Sequence, residues 1–327
     1  MKRTPTYLLT FLLLLFASCE EQEPITGNAS INEFLTEVEQ AKTTRPLTWP
    51  GEKEKFEKND TIHVFGFSKA LSGGVGTRFM PNDDNSTGAT YLSDNRDVLG
   101  WHRFKAYGSD IGLWRDGFYH DFTAYYYIPK FETKNQTFTM DSSGLPPKEL
   151  LWGKTENVFF NGNVVVIPQI TFKHQLSRIR IKVIHNMDSI AAESHTLEKI
   201  AFNLDNRSAD FNVETGQWSN DSGGAIGIEL FPDTTLVDIT QLESTDIIEC
   251  WVLPNREISS FYVTLENDPV PILVPFKHHF DPNIDKVITK PGYITELQLE
   301  FGEIRTIIFT VRLVPWEKVE KESDITD

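Results

Sequence analysis

The sequence predicts an all-β protein of sandwich type, and three observations support that expectation. Apolar residues recur with period two. Phe122, Ala124, Tyr126 and Ile128 alternate with Thr123, Tyr125 and Tyr127. Ile179, Ile181 and Val183 alternate with Arg178, Arg180 and Lys182, and Tyr293 to Phe301 repeats the pattern. Such alternation turns one strand face to a core and the other to water. Turn-forming clusters separate the runs, among them Ser72-Gly73-Gly74, Asn161-Gly162-Asn163 and Lys290-Pro291-Gly292. Helical spacing is confined to one short segment near the N-terminus.

The chain opens with Lys2 and Arg3, an apolar run from Tyr7 to Phe16, and Ala17-Ser18-Cys19. This has the three parts of a secretory signal. The apolar run is too short to span a bilayer, which takes about 20 apolar residues. A cysteine at this place resembles a bacterial lipobox, with Phe16 where leucine is usual. Residues 1–18 are therefore expected to be a lipoprotein signal peptide, with Cys19 acylated and the mature chain anchored to a membrane. Glu20, Glu21 and Glu23 resemble the acidic display signal of some outer-membrane lipoproteins.

Residues 19–45 read as an acidic linker and a short helix. Ile31, Phe34, Leu35 and Val38 fall at helical spacing, and Ser30 with Glu33 fits a capping box. Beyond Trp49 the period changes to two. Ile62 and Val64 open the first strand region, and Ile307, Phe309, Val311 and Leu313 mark the last. Ile170, Phe172 and Leu176 hold even positions while Ile179, Ile181 and Val183 hold odd ones, so a bulge or sharp bend is expected near Gln175 to Ser177. The polar stretch Asn186 to His195 suggests a boundary between residues 46–188 and 189–316. Residues 317–327 are a charged tail.

Composition narrows the function. The chain has 327 residues, a length for about two domains. Its formal net charge of −16 repels phosphate backbones, so nucleic acid is not an expected partner. With Cys19 acylated, Cys250 has no partner for a disulfide and reads as a small buried hydrophobe. No G-x-S-x-G, H-E-x-x-H or Gly-rich phosphate loop is present, so no enzyme and no cofactor are expected. No metal is expected either. His278-His279 point to opposite faces of a strand, and Asp83, Asn85, Thr87, Gly88 and Asp94, though spaced partly like a calcium loop, read as a polar turn. Arg178, Arg180 and Lys182 read as a solvent face, with a contact between domains or with an acidic neighbouring subunit as the alternative. Trp101, Trp114, Tyr125 and Tyr127 read mainly as core, with sugar stacking as the alternative.

The stretch Ile170-Thr171-Phe172-Lys173-His174-Gln175-Leu176-Ser177-Arg178-Ile179 resembles a characteristic strand of the fimbrillin family, the Mfa-like subunits of type V pili. Three further stretches agree in order: Thr44-Arg45 to Trp49 with Asn59 to Phe65, Phe122 to Pro129, and Tyr293 to Trp316. The resemblance implies two tandem transthyretin-like, Greek-key β-sandwich domains on a lipidated precursor at the cell outer membrane. It implies a subunit of a surface fimbria, whether shaft, tip or anchor, with other fimbrial subunits as partners in a homo- or hetero-polymer. Assembly would follow proteolytic removal of the first strand and its replacement by a strand from the next subunit. The matching protease site is Arg45, but Pro46 follows it, and trypsin-like enzymes cut poorly before proline. Lys42 and Arg78 are the other basic candidates, and an uncut chain would act as an anchor. Ile307, Phe309, Val311 and Leu313 are the candidate exchanged strand, and a host or bacterial surface receptor is a further possible partner. The alternative function is a non-polymerising surface lipoprotein that binds a glycan or other ligand.

Overall fold

The structure, a computed structural model, describes residues 29–39, 55–81, 87–109, 111–127, 135–139, 150–162, 166–185, 196–230, 237–238, 247–266, 268–275, 286–301 and 307–315. Among these residues every regular element is a β-strand. The first nine are β1 (Glu33–Val38), β2 (Thr61–Ala70), β3 (Thr77–Met80), β4 (Ala89–Val98), β5 (Trp101–Ala106), β6 (Phe118–Tyr127), β7 (Asn135–Thr139), β8 (Leu150–Phe160) and β9 (Gln169–His174). Next come β10 (Ser177–His185), β11 (Thr196–Leu204), β12 (Ser208–Asn212), β13 (Gln217–Ser222), β14 (Ile226–Leu230) and β15 (Val237–Asp238). The last are β16 (Ile247–Val252), β17 (Glu257–Ile258), β18 (Ser260–Leu265), β19 (Asp268–Pro275), β20 (Val287–Ile288), β21 (Tyr293–Phe301) and β22 (Ile307–Pro315).

In the N-terminal half, β2, β4, β5, β1, β9, β8 and β6 pair in that order, and β6 pairs back onto β2. The ring of strands is closed, with β3 added to β2 beyond β4. Phe34, Ile62, Val64, Tyr91, Phe104, Phe122, Ile170 and Phe172 fill its interior. β8 and β9 run close at Gly153, where a Cβ would lie 2.5 Å from the Thr171 carbonyl oxygen. Only glycine fits there without pushing the strands apart.

In the C-terminal half, one sheet runs β16-β10-β21-β22 and another β14-β11-β18-β19, with β15 paired to β11. Ile179, Ile181, Leu297 and Leu299 of the first share a core with Ile200, Phe202, Phe261 and Val263 of the second. The two halves are joined by more than the connecting chain. β7 from the first half pairs with β12 of the second, and β13 completes a three-stranded sheet. Phe65, Tyr125 and Leu150, on the outer face of the ring, belong to the C-terminal core cluster. The Trp152 indole N–H donates to the Val213 carbonyl at 2.9 Å, and Arg78 pairs with Glu214 at 3.0 Å.

Three expectations are corrected. The segment expected to be a helix, around Phe34 and Val38, is strand β1. Its helical spacing was the i, i+4 spacing of alternate strand positions, with buried Thr36 between them. Neighbouring strands on both sides satisfy its backbone, and tertiary pairing overrides a short local pattern. The chain also leaves the ring earlier than the polar stretch suggested. The expected bend at Gln175 and Leu176 separates β9 from β10, and β10 pairs with β16 and β21 instead of staying with the N-terminal strands. Finally, the row Arg178 and Arg180 is buried, not a solvent face. The Arg178 guanidinium lies 5.8 Å from the centre of the Trp251 ring, and Arg180 faces Glu296 at 3.7 Å.

Candidate functional site

The site begins with the residues of β1. Phe34, Thr36 and Val38 are buried, and so is Leu35 on the other face. β1 pairs antiparallel with β5, from Glu33 opposite Lys105 to Thr36 opposite His102. On its other side it pairs parallel with β9, from Leu35 aligned with Gln169 to Val38 aligned with Phe172. The preceding residues are held as well. Ile31 N–H donates to the Gly112 carbonyl at 3.0 Å, and Trp114 N–H donates to the Ala29 carbonyl at 2.8 Å. Without residues 29–39 the ring would have a slot between β5 and β9, with two rows of exposed backbone groups.

The slot is lined by aromatic rings. Phe34 packs edge-on against Tyr91 at 4.8 Å and against Phe122 at 5.2 Å. The Tyr91 hydroxyl donates to the Ile31 carbonyl at 2.7 Å, and burial pushes this phenol above its ordinary pKa. Phe56, just before β2, closes the same pocket with ring contacts to Phe104, Tyr126 and Phe172. Residues 40–54 thus connect two anchored points, β1 and Phe56.

Charge lines the rim. Glu33 faces Arg103 at 3.8 Å, Glu37 accepts from the Thr171 hydroxyl at 2.9 Å, and Glu39 pairs with Lys173 at 3.0 Å. Arg103 also pairs with Asp94, and Lys105 lies 3.6 Å from the same carboxylate. The Arg103 bond and charge hold the Asp94 carboxyl below its usual range against the opposing effect of desolvation. The acidic positions of β1 therefore face hydrogen-bond donors on both walls, which helps fix its register.

The sequence-predicted residues fall as follows. Cys19 and Arg45 lie outside the described residues, as do Lys42 and His278-His279. Asp83 and Asn85 of the calcium-like turn are outside as well, while Asp94 is engaged by Arg103. Arg78 sits in β3 with its side chain turned to Glu214. Ile307, Phe309, Val311 and Leu313 lie on β22, opposite Phe301, Leu299, Leu297 and Thr295 of β21. Cys250 is buried in β16. Trp114 and Tyr125 are core residues. The residues missed by sequence reasoning are those of β1. The one available signal was that Phe34, Thr36 and Val38 fit period two as well as a helix.

A shallow cleft of about 430 Å³ opens at one end of the ring, lined by Asp60, His63, Thr90, Tyr107 and Tyr127 among others. Several of its polar groups are engaged internally. Asp60 accepts from Glu57 N–H and from the Tyr126 hydroxyl, and the His63 ring lies 3.4 Å from the Thr90 hydroxyl and stacks on Tyr125.

A model of the fimbrillin-like family matches residues 44–316, so β1 lies ahead of the matched portion. Two solved structures share the fold. One, a candidate cell adhesion protein from Bacteroides uniformis, is 16% identical with a TM-score of 0.53, over 90% of this chain and 100% of that one. Another candidate cell adhesion protein, from Bacteroides ovatus, is 15% identical with a TM-score of 0.54, over 89% of this chain and 99% of that one. No curated protein matches the chain.

Proposed function

The chain belongs to the fimbrillin-like family, and from that membership we propose that it is a subunit of a cell-surface fimbria in which β1 is the replaceable strand. The observation that carries this reading is the position of β1. It is an interior stave of a closed ring, yet it comes first in the described chain and is joined to the rest through residues 40–54, where Arg45 lies. One cut in that segment would separate the stave from the barrel. Loss of β1 would strip cover from Phe104, Phe122 and Phe172 and leave the Tyr91 hydroxyl without the Ile31 carbonyl. Each buried apolar side chain of a replacing strand would contribute about 1.5–3 kcal/mol. A strand from a sister molecule would gain the same backbone bonds on both sides.

In this reading the halves are two tandem transthyretin-like sandwiches, with β22 and its residues Ile307, Phe309, Val311 and Leu313 as the exchangeable segment. Acylation at Cys19 would tether the precursor to the outer membrane. The main test treats the chain from Glu20 onward with a trypsin-like protease. Trimming within residues 40–54, followed by SDS-resistant ladders, is expected. A trimmed chain that loses β1 and stays monomeric would sink the proposal. Tethering is tested separately: palmitate label is expected in the wild type and absent from Cys19→Ala, and label persisting in the variant refutes the anchor.

The bond between Arg45 and Pro46 favours a second role, that of an uncut anchor subunit. Pro46→Ala distinguishes the two. Faster trimming in the variant than in the wild type indicates that proline slows processing, and equal rates indicate that it does not. The glycan-binding alternative receives less support, because Asp60 and the His63–Thr90 pair of the cleft are already bonded within the protein.

A further inference from the structure

We infer that β19 is an edge strand closed to pairing by its prolines, so that the C-terminal half is protected on that edge against addition of a second chain. Among the described residues β19 pairs with β18 alone. Its sequence is Asp268-Pro269-Val270-Pro271-Ile272-Leu273-Val274-Pro275. In an antiparallel pair, opposed residues alternate. One pair exchanges two N–H···O bonds, and in the next pair both residues turn N–H and C=O away from each other. Pro275 opposes Ser260 and has no N–H, so this pair is of the second kind. Counting back, Val274 bonds Phe261, Leu273 faces outward opposite Tyr262, and Ile272 bonds Val263.

Pro271 is the next outward position, and it too lacks an N–H. Pro269 shares the parity beyond the irregularity between Val263 and Leu265. Leu273 therefore supplies the one outward backbone donor between Pro269 and Pro275. A strand docking here would bury carbonyls that find no partner, at a penalty that opposes docking.

The edge needs such protection because its surroundings are apolar. Val270 is 68% exposed, and Tyr262 stands beside Leu273 on the same outer face. Apolar side chains next to a free edge invite a second chain, and proline on the edge is one way to prevent pairing. β22, which ends the facing sheet, has no proline between Ile307 and Val314. Its edge keeps its donors, so the two edges are not equivalent.

This inference holds whether or not the chain polymerises, so it is tested on the uncut chain from Glu20 onward. Pro271→Thr with Pro275→Thr restores two outward donors in a residue suited to strands. The wild type is expected to remain a monomer by light scattering, and the double variant to shift toward dimer mass with concentration at unchanged circular dichroism. Should the double variant fold poorly, Pro271→Thr alone gives the same readout. A folded variant that stays as monomeric as the wild type overturns the inference. The parity has its own check. Leu273→Pro should leave the melting temperature nearly unchanged, whereas Val274→Pro breaks a bond to β18 and should lower it sharply. Equal damage from both would refute the outward assignment.

Discussion

In the N-terminal ring, β6 pairs back onto β2 and β1 fills the space between β5 and β9, so backbone groups are consumed around the circuit. In the C-terminal half, the two sheets end on β22 and β19 with no further strand bonded to either among the described residues. The ring protects its edges by closure, and the sandwich protects β19 by composition. These solutions differ in reversibility. Proline is permanent, whereas closure by β1 would be reversible under the proposed strand replacement. Under the proposed assembly, a reversible device in one half only would let the subunit open a slot there while the other half stays closed.

Weakening β1 should have the largest effect. Phe34→Ala empties the centre of the ring and should cost about 3–5 kcal/mol, as large-to-small changes in aromatic cores do. Leu273→Ala, on the exposed face of β19, should change stability by no more than about 0.5 kcal/mol. Urea midpoints of the two variants measure both. Similar losses would mean that the ring is no more dependent on its first strand than the sandwich is on its edge.

The next effect tests whether the halves unfold together. Trp152 bonds the Val213 carbonyl and packs on Gly216, whose φ of +68° and missing Cβ let the indole lie flat on the turn. Trp152→Ala should cost about 2–4 kcal/mol through lost packing and an unsatisfied carbonyl. Calorimetry should then resolve two transitions in place of one. A single sharp transition in the variant would indicate that β7 with β12 and the shared core couple the halves without Trp152.

The strands of both halves were legible beforehand. Period-two runs such as Phe122 to Tyr127 and Tyr293 to Phe301 became β6 and β21, and the phase slip at Gln175 to Ser177 became the crossing between the halves. What escaped was non-local. β1 carries polar Thr36 at an inward position and takes its partners from β5 and β9, far along the chain, so no window around Phe34 contained the information. Arg178 and Arg180 have the alternation of a wet face, yet both are buried, beside Trp251 of β16 and Glu296 of β21. The prolines of β19 were visible as residues, but only the register with Ser260 and Phe261 assigns their missing donors to the outer side.

A smaller change sharpens the role of β1. Tyr91→Phe keeps the ring that packs on Phe34 and removes the hydroxyl that donates to Ile31. The loss should be about 1 kcal/mol. Its signature should be local, with faster amide exchange in β1 than in β11 or β18. Uniform acceleration across both halves would mean that the bond serves global stability and does not specifically retain the strand.

The smallest expected effect is a pH dependence confined to the ring. Burial holds the His120 imidazole below its ordinary pKa of 6.5. Its Nε2 accepts the Arg115 N–H at 3.1 Å, and its Nδ1 lies 3.3 Å from the Val158 carbonyl, the pattern of a neutral ring. Trp114 and Phe79 pack against it at 4.9 and 5.2 Å. Below pH 6.5 the unfolded chain binds a proton that the folded chain resists. The unfolded state then holds more protons, so stability is complete above 6.5 and is lost as pH falls through the depressed folded value. The slope from one such group is at most about 1.4 kcal/mol per pH unit. Amide exchange in β6 and β8 should accelerate on mild acidification, while β11 and β18 hold steady. His120→Asn should flatten that response. A variant that keeps the acid sensitivity of the ring would rule out this imidazole as its origin.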